Sequence, residues 1–477
     1  MIDFSNIAKP NLVYKGLYNY VSVALRLIYF RKFRVFGREN IPQDRSEGFL
    51  LICNHQNGLL DALSIIFAVA PREPIFLARG DIFKKDKLAV VLRTLRILPA
   101  FRKRDVGVEN LDQNEAIFAQ AEKLISDGAV IAIFPEAGHQ THHYLGTFKK
   151  GFARIAFGYE ECCNFSRNLK ILPLGHHYSG YRGMRNDVLY TIGEPFTFED
   201  LYDVYREHPE RGRYLLNQRA RESVERLMLN VEDPDNYLAV ELLCDMYIPL
   251  WRAKNGHSAA TLKSDLEARQ ALNAELRDAR YGKPLPEADS PEPSAGADAA
   301  GGNAADPAKV AAAGELIAKG EKYRLNLDKL RLDDSIVGRG SALGFAARTL
   351  LWIALLPLFA LSAVVNFLPH RLSVAISHKI KDKMLVPSLQ FGVGLLVFFV
   401  WYLILFAAVW IACGKFWIAL CALLAMPATM LAYHNLRRLS SRLCMRVRKW
   451  RLKMRRDPLY SETEILRREI LDSLKEY

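Results

Sequence analysis

Three long stretches without a charged residue dominate the second half of this 477-residue chain. Residues 349–369, 384–414 and 416–436 contain no Lys, Arg, Asp or Glu. Each reaches the roughly 20 apolar residues that an α-helix needs to cross the ~30 Å hydrocarbon core of a bilayer. The sequence therefore predicts a multi-pass membrane protein with C-terminal transmembrane helices. The rest of the chain is long enough for a large soluble part.

The charge balance indicates which kind of partner the chain has. Its net charge of +13 suits an anionic partner. The apolar stretches favour a phospholipid membrane over nucleic acid, because anionic headgroups attract each juxtamembrane Lys or Arg by about 1 kcal/mol. We therefore expect no nucleic-acid partner. The seven cysteines include no C-x-x-C pair, so we interpret them as reduced thiols and expect no structural zinc.

Basic residues also predict a topology. Residues 437–456 hold ten Lys or Arg and no acid, which the positive-inside rule assigns to the cytoplasm. The soluble part lies on the same cytoplasmic face only if 384–414 and 416–436 form a hairpin and 349–369 does not cross. Pro357 lies in the middle of the stretch 349–369 and removes a helix hydrogen bond there. This favours a bend that would keep the stretch from crossing the membrane.

Composition and periodicity divide the chain into seven parts. Between residues 36 and 200, short apolar runs alternate with helical patterns, which argues for an α/β domain with a largely parallel sheet flanked by helices. The runs predicted as strands are Phe49–Cys53, Ile75–Ala78, Ala129–Phe134, Ile171–Leu174 and Val188–Ile192. Ligands of such sheets bind at the carboxyl ends of the strands. The parts are an interfacial amphipathic helix (1–35), which could equally dock on the domain, the α/β domain (36–200), a helical extension (201–283), a flexible linker (284–308), a helical connector (309–342), membrane segments (343–436) and a basic C-terminal helix (437–477).

The first polar cluster follows the apolar run Phe49–Cys53. His55 comes two residues after this predicted strand, and Asp61 opens the next predicted helix. An imidazole beside a carboxylate is the arrangement of a general base, because the carboxylate orients the ring and stabilises its protonated form. A helix-capping Asp and an ordinary hydrogen-bonded His are the alternative.

Two further clusters follow apolar runs. Glu136 and Gly138 follow the run Ala129–Phe134, where a carboxylate could accept a hydrogen bond from a hydroxylated substrate. Arg102 and Arg104 lie in a basic loop and could grip a phosphate through paired bonds. A solvated basic loop is the alternative for the second cluster.

Taken in the order of the chain, these segments resemble the glycerolipid acyltransferase family over about residues 10–200. The family's first block is Asn-His followed by Asp, and the others contain an Arg, the sequence F-P-E-G, an F-K-K-G run and a short strand with a Pro. The matching residues here are Asn54, His55 and Asp61; Arg102 or Arg104; Phe134, Pro135, Glu136 and Ala137; Phe148, Lys149, Lys150 and Gly151; and Ile171, Leu172, Pro173 and Leu174.

This chain departs from the family pattern at two places. Five residues separate His55 from Asp61 where the family usually has four, a spacing similar to a subgroup that includes fungal glycerol-3-phosphate/dihydroxyacetone-phosphate acyltransferases. Ala137 stands where the family has Gly, and the usual Thr-Arg after it is missing. The phosphate contact would then depend on Arg102, Arg104 and Lys149.

The resemblance implies an enzyme of phospholipid biosynthesis. His55 would deprotonate the hydroxyl of glycerol-3-phosphate or 1-acyl-glycerol-3-phosphate, and Asp61 would orient His55. The acyl donor would be acyl-CoA or acyl-carrier protein, with no cofactor and no metal. Asn54, Arg102, Arg104, Glu136, Gly138 and Lys149 are the expected substrate-binding residues.

Two other functions fit parts of the sequence. A catalytically inactive lipid-binding scaffold would explain the altered spacing and Ala137. A metal-dependent hydrolase would explain the histidines at 139, 142, 143, 176 and 177, although their spacing in loop sequence is unlike that of a zinc site. A nucleophilic Cys53 fits less well, because it ends a buried strand.

Overall fold

The computed structural model describes most of the chain. The described residues are 7, 12–80, 90, 92–100, 112–136, 138, 142–181, 183–257, 259–281, 306–338, 340–379 and 386–477. Arg102, Arg104, Ala137 and nearly all of the predicted linker lie outside them. The chain divides into two compact units, Met1–Met228 with Val364–Met430, and Leu229–Ala363 with Leu431–Tyr477.

A seven-stranded sheet forms the centre of the first unit. Its strand order is β1-β7-β6-β2-β5-β3-β4, and every neighbouring pair is parallel except β6 with β7. The prediction of a largely parallel sheet is therefore confirmed. The strands are β1 (Lys32–Phe36), β2 (Phe49–Cys53), β3 (Pro74–Arg79), β4 (Ile97–Ala100), β5 (Val130–Ile133), β6 (Ile171–Tyr178) and β7 (Asp187–Ile192).

The two edge strands, β1 and β4, were not predicted from the sequence. β1 lies inside the segment 1–35 that was interpreted as one helix, so that interpretation is wrong for residues 32–35. Lys32 and Arg34 obscure the strand pattern because their side chains stay accessible at the edge of the sheet. Pairing with β7, more than 150 positions away, makes this segment a strand.

Helices cover both faces of the sheet. Leu50 and Ile52 of β2 join the core on one face, and Phe49 and Leu51 join the core on the other, as the alternation of side chains in a strand requires. The helices of this region are α1 (Leu12–Val23, continued by a π-helical turn at Ala24–Tyr29), α2 (Gly58–Ala68), α3 (Asp112–Ser126), α4 (Gly151–Cys162), α5 (Tyr202–Glu207) and α6 (Pro209–Glu225).

Helix α1 has apolar side chains on opposite sides. Tyr14 is buried, and Tyr18 and Val21 pack against the core of the sheet domain, so the helix docks on that domain. Its other side exposes a second set of apolar residues, which fits the predicted interfacial location. These exposed residues are Leu12, Val13, Leu17, Tyr20, Val23 and, in the π-helical turn, Leu27.

The rest of the described chain is helical. Helices α5 and α6 belong to the sheet-containing unit, so the segment predicted as one helical extension (201–283) is divided near Met228. Helix α9 begins at Pro307, inside the last residues of the predicted linker. The helices are α7 (Tyr237–Lys254), α8 (Leu262–Tyr281), α9 (Pro307–Leu330), α10 (Asp334–Val337), α11 (Ala342–Ala354), α12 (Leu356–Ser377), α13 (Val386–Cys413), α14 (Phe416–Met454) and α15 (Pro458–Ser473).

Three of these helices, α12, α13 and α14, are long and apolar enough to cross a membrane. Pro357 is the second residue of α12, where proline is tolerated, and it follows the helix break at Leu355 that divides the apolar stretch 349–369 between α11 and α12. Polar side chains join the three helices: Asn366 donates to Thr429 Oγ1 over 2.9 Å and accepts from Tyr402 over 2.8 Å. Whether α12 crosses, and on which face the soluble part lies, stay predictions.

The second unit has its own helical core. Helices α7, α8, α9 and α15 bury apolar side chains that include Leu243, Leu272 and Ile470. At one end Asp334 accepts hydrogen bonds from Tyr323 over 2.8 Å and from Arg467 over 2.7 Å. The basic segment that begins at residue 437 continues α14 without a break, so no boundary lies at residue 436.

Candidate active site

His55 and Asp61 meet at the carboxyl end of β2. The strand is fully buried between β5 and β6, and it delivers His55 to the sheet edge two residues after it ends. His55 Nδ1 lies 2.9 Å from Asp61 Oδ2. The His55 side chain is 16% exposed and that of Asp61 is fully buried, so the pair joins an accessible imidazole to an inaccessible carboxylate.

A glycine accommodates the five-residue spacing between the two side chains. Gly58 begins α2 with φ of +46°, in the left-handed region that glycine adopts without steric cost. The turn 56–58 therefore reverses sharply and brings the first turn of α2 back toward His55. The backbone N–H groups of Gln56 and Asn57 also donate to Asp61 Oδ2, over 2.8 and 2.7 Å.

The environment of Asp61 keeps its carboxylate ionised. Burial acts to raise the pKa of Asp61, but interactions with His176, His55 and Tyr178 outweigh burial and hold that pKa below its ordinary value. An ionised carboxylate only accepts hydrogen bonds, so His55 donates to it through Nδ1–H. In the neutral ring this tautomer leaves the basic lone pair on Nε2.

His176 and Tyr178, on β6, complete the surroundings of Asp61. Tyr178 donates to Asp61 Oδ1 over 2.6 Å, and His176 Nε2 lies 3.4 Å from the same oxygen. Burial lowers the pKa of His176 to about 4, so this ring is neutral at pH 7. The sequence analysis assigned neither residue to the site. The strand was predicted only as far as Leu174, whereas β6 continues to Tyr178 and carries both side chains on one face.

Glu136 holds two loops together at the same sheet edge. Its Oε1 accepts from the backbone N–H of His55 over 2.7 Å, and its Oε2 accepts from that of Gly146 over 2.7 Å. Burial raises the pKa of Glu136 to about 7, against the lowering effect of these two bonds. The observed contacts thus bind Glu136 to the loop carrying His55, and its predicted contact with substrate stays a prediction.

Asn54 joins β2 to β6. Its side-chain amide donates to the carbonyl of His176 over 3.0 Å and accepts from the N–H of His176 over 2.9 Å. The ring of His55 stacks on Phe134, with 4.0 Å between the ring centroids. Asn54 and Phe134 therefore fix the backbone and the ring plane of His55 respectively.

The other predicted binding residues are less closely tied to this centre. Gly138 and Lys149 are exposed. The Lys149 N–H donates to the carbonyl of Pro135 over 2.8 Å, which places its backbone beside the loop of Glu136. Arg102 and Arg104 lie outside the described residues, so their contact with a phosphate stays a prediction.

The structure also describes the residues that suggested a nucleophilic cysteine or a metal-dependent hydrolase. Cys53 is buried, and burial together with the charge of Asp61 raises the pKa of its thiol, which disfavours a thiolate nucleophile. His143 and His177 stack on each other with 4.3 Å between centroids, while His176 faces Asp61. Within the described ranges, no three His, Cys, Asp or Glu side chains form a group that could hold a metal ion.

Comparison with known proteins identifies related sequences over the sheet domain. The family profile described as Acyltransferase matches residues 32–176. A Mycoplasma pneumoniae protein named "Probable 1-acyl-sn-glycerol-3-phosphate acyltransferase" is 26% identical over 152 residues, which are 31% of this chain and 53% of that protein. Glycerol-3-phosphate O-acyltransferase 2 of Saccharomyces cerevisiae is 24% identical over 143 residues, 30% of this chain and 19% of that protein.

A solved structure also matches part of the chain. The 1-acyl-sn-glycerophosphate (LPA) acyltransferase PlsC from Thermotoga maritima is 22% identical, with a TM-score of 0.32, and the match covers 45% of this chain and 79% of that one. Of the two curated relatives, this chain matches 53% of the Mycoplasma pneumoniae protein and 19% of the yeast protein, which is about half or less of their lengths. The profile match at residues 32–176 contains β2, α2, Glu136 and the His55–Asp61 pair, and this segment is a domain of the acyltransferase family.

Proposed function

We propose that this protein is a membrane-bound O-acyltransferase of phospholipid biosynthesis. It moves a fatty acyl group from a thioester donor, acyl-CoA or acyl-carrier protein, to the hydroxyl of 1-acyl-glycerol-3-phosphate or glycerol-3-phosphate. The names of the two curated relatives support this acceptor class. The three apolar helices support a location in a phospholipid membrane.

The observation that carries this proposal is the hydrogen bond between His55 Nδ1 and Asp61 Oδ2. It sets the tautomer in which Nε2 accepts the proton of the acceptor hydroxyl. The hydroxyl oxygen then attacks the thioester carbonyl carbon, the C–S bond breaks, and the protonated imidazole returns its proton to the leaving thiolate. Asp61 stabilises the imidazolium formed between these two steps.

The remaining roles are also part of this proposal. Backbone N–H groups near the strand ends would stabilise the tetrahedral oxyanion, a contribution commonly worth about 10²–10³ in rate. Arg102, Arg104 and Lys149 are the cations proposed to hold the acceptor phosphate. No metal and no cofactor take part in this scheme. We place the domain on the cytoplasmic face, on the positive charge of residues 437–456.

The proposal is tested by His55→Ala in the full-length protein. Purified protein in lipid vesicles is supplied with labelled acyl-CoA and each acceptor in turn. We expect wild-type protein to acylate at least one acceptor and His55→Ala to lose about 10²–10⁴ in rate, because general-base assistance is commonly worth that much. The exposed His208→Ala serves as the matched control and is expected to keep wild-type activity.

Two results would contradict the proposal. Wild-type protein that binds vesicles yet acylates neither acceptor would favour the inactive scaffold. A His55→Ala variant that keeps about a third of the wild-type rate would exclude His55 as the base, since general-base catalysis contributes far more.

A further inference from the structure

The first turn of membrane helix α13 contacts the turn that carries the catalytic pair. Ser388 is 3% exposed, and its hydroxyl donates to the carbonyl of Asn57 over 2.6 Å. The same oxygen accepts from the N–H of Leu60 over 3.1 Å. Ser388 lies more than 320 positions after both partners, outside the residues matched by the acyltransferase profile.

These bonds lie at the N-terminus of α2, where backbone N–H groups are usually capped. The first N–H groups of a helix have no partner within the helix, and a side chain at the N-cap usually binds one of them. The N-cap residue of α2, Asn57, makes no such side-chain bond. Leu60 N–H donates to the carbonyl of Asn57 over 3.0 Å and is shared with the hydroxyl of Ser388, so a residue of α13 supplies the side-chain cap of α2.

The capped turn is the one that holds Asp61. Asn57 uses its N–H to bind Asp61 Oδ2 and its carbonyl to accept from Ser388. Leu60 directly precedes Asp61. Asp61 and α13 therefore both bind the backbone of Asn57. A displacement of this turn would move Asp61 relative to His55, and misplacement of about 1 Å can cost 10² in rate.

Other contacts keep α13 in place without the hydroxyl. Phe391 is buried against Tyr29, with 5.0 Å between ring centroids. The Tyr20 hydroxyl donates to the carbonyl of Leu395 over 2.7 Å. Removing the oxygen of Ser388 should thus loosen the turn of α2 without detaching the helix.

We propose that Ser388 is a positioning residue for the His55–Asp61 pair, so that membrane helix α13 is a working part of the active site. This inference rests on the proposed function. It assigns a role to the C-terminal membrane region beyond anchoring, because the hydrogen bonds that shape the catalytic turn come from it.

The test compares Ser388→Ala with a matched serine in the full-length protein. We expect Ser388→Ala to lower kcat about tenfold, as the loss of ~1.4 kcal/mol of transition-state stabilisation would. KM for donor and acceptor should stay within about twofold, because neither substrate loses a contact. Ser388→Thr keeps the hydroxyl and should restore at least half of the wild-type kcat. The control is Ser373→Ala, since this buried serine of α12 donates only within its own helix, to the carbonyl of Pro369 over 2.8 Å.

The outcomes separate this inference from the proposed function. Wild-type kcat in Ser388→Ala, an equal loss in Ser373→Ala, or a threonine variant as impaired as the alanine variant would each overturn the positioning role. If His55→Ala is fully active, the proposed function fails. Activity that depends on His55 but not on Ser388 overturns this inference alone.

Discussion

Asp61 shows how much of this site rests on single side chains. Four donors bind its two oxygens: the His55 ring, the N–H groups of Gln56 and Asn57, and the hydroxyl of Tyr178. A buried carboxylate with this many donors stays ionised and oriented. Glu136, only a few ångströms from the same loop, has two donors and a raised pKa.

The raised pKa of Glu136 predicts how stability depends on pH. Its pKa is about 7 in the folded protein against an ordinary value of 4.5. Between these values the unfolded chain has lost the proton that the folded chain keeps, so the free energy of unfolding falls as pH rises, by at most about 3 kcal/mol. Above pH 7 this contribution is constant.

Glu136→Gln should remove that slope, because glutamine does not titrate. The measurement is thermal unfolding of the purified protein in detergent at several pH values from 4.5 to 8. Glu47→Gln, at an exposed glutamate paired with Lys170, is the control and should keep the wild-type slope. A slope unchanged in Glu136→Gln would show that other groups cause it.

At the scale of single elements, the start of α2 decides whether His55 and Asp61 contact each other. Five residues between His55 and Asp61 would move the carboxylate away from the ring in a regular helical turn. The left-handed Gly58 reverses the chain and restores the contact. The five-residue spacing is thus compatible with a direct contact between His55 and Asp61.

Gly58→Ala should therefore lower activity. A side chain at this φ costs about 1–2 kcal/mol, and relief of that strain would shift the turn that carries Asp61. We expect kcat to fall about tenfold, the equivalent of ~1.4 kcal/mol. Gly314→Ala, in α9 with open space around the new Cβ and without a positive φ, is the control and should be neutral or slightly stabilising. Wild-type kcat in Gly58→Ala would show that the turn tolerates another conformation.

At the scale of the whole molecule, the described site residues all lie in one of the two compact units. That unit combines residues 1–228 with 364–430, so it contains part of the apolar C-terminal helices as well as the sheet domain. The predicted linker lies between α8 and α9 in the sequence, and both of these helices belong to the other unit. Helix α9 begins with its own cap, since Asp306 accepts from the N–H of Ala308 over 3.0 Å.

Replacing residues 284–305 by a Gly/Ser segment of equal length should leave acyl transfer within about twofold of wild type. Their composition, rich in Pro, Ala and Gly without aromatic residues, cannot bury a core. The assay is the same vesicle assay with labelled donor. Replacing 307–328 in the same way removes most of α9 and is expected to abolish folding. A large loss of activity from the first replacement alone would reveal a specific role for the linker.

The sequence alone determined the features that depend on local patterns. Apolar runs located five strands of the sheet and the three long apolar helices, because burial of a strand and residence in lipid both demand continuous apolar residues. The polar residues placed directly after the strands β2 and β5 indicated His55, Asp61 and Glu136. Parallel strands bring their carboxyl ends to one edge, which is why these residues lie together.

Only the tertiary structure decided how those residues contact one another. Edge strands β1 and β4, which were not predicted, formed by pairing with β7 and β3 respectively. Tyr178 reached Asp61 from 117 positions away, and Ser388 reached the turn of α2 from 328 and 331 positions away. Hydrogen bonds depend on distances of a few tenths of an ångström and on direction. Such geometry is set by how whole elements pack, and no spacing within the sequence encodes it.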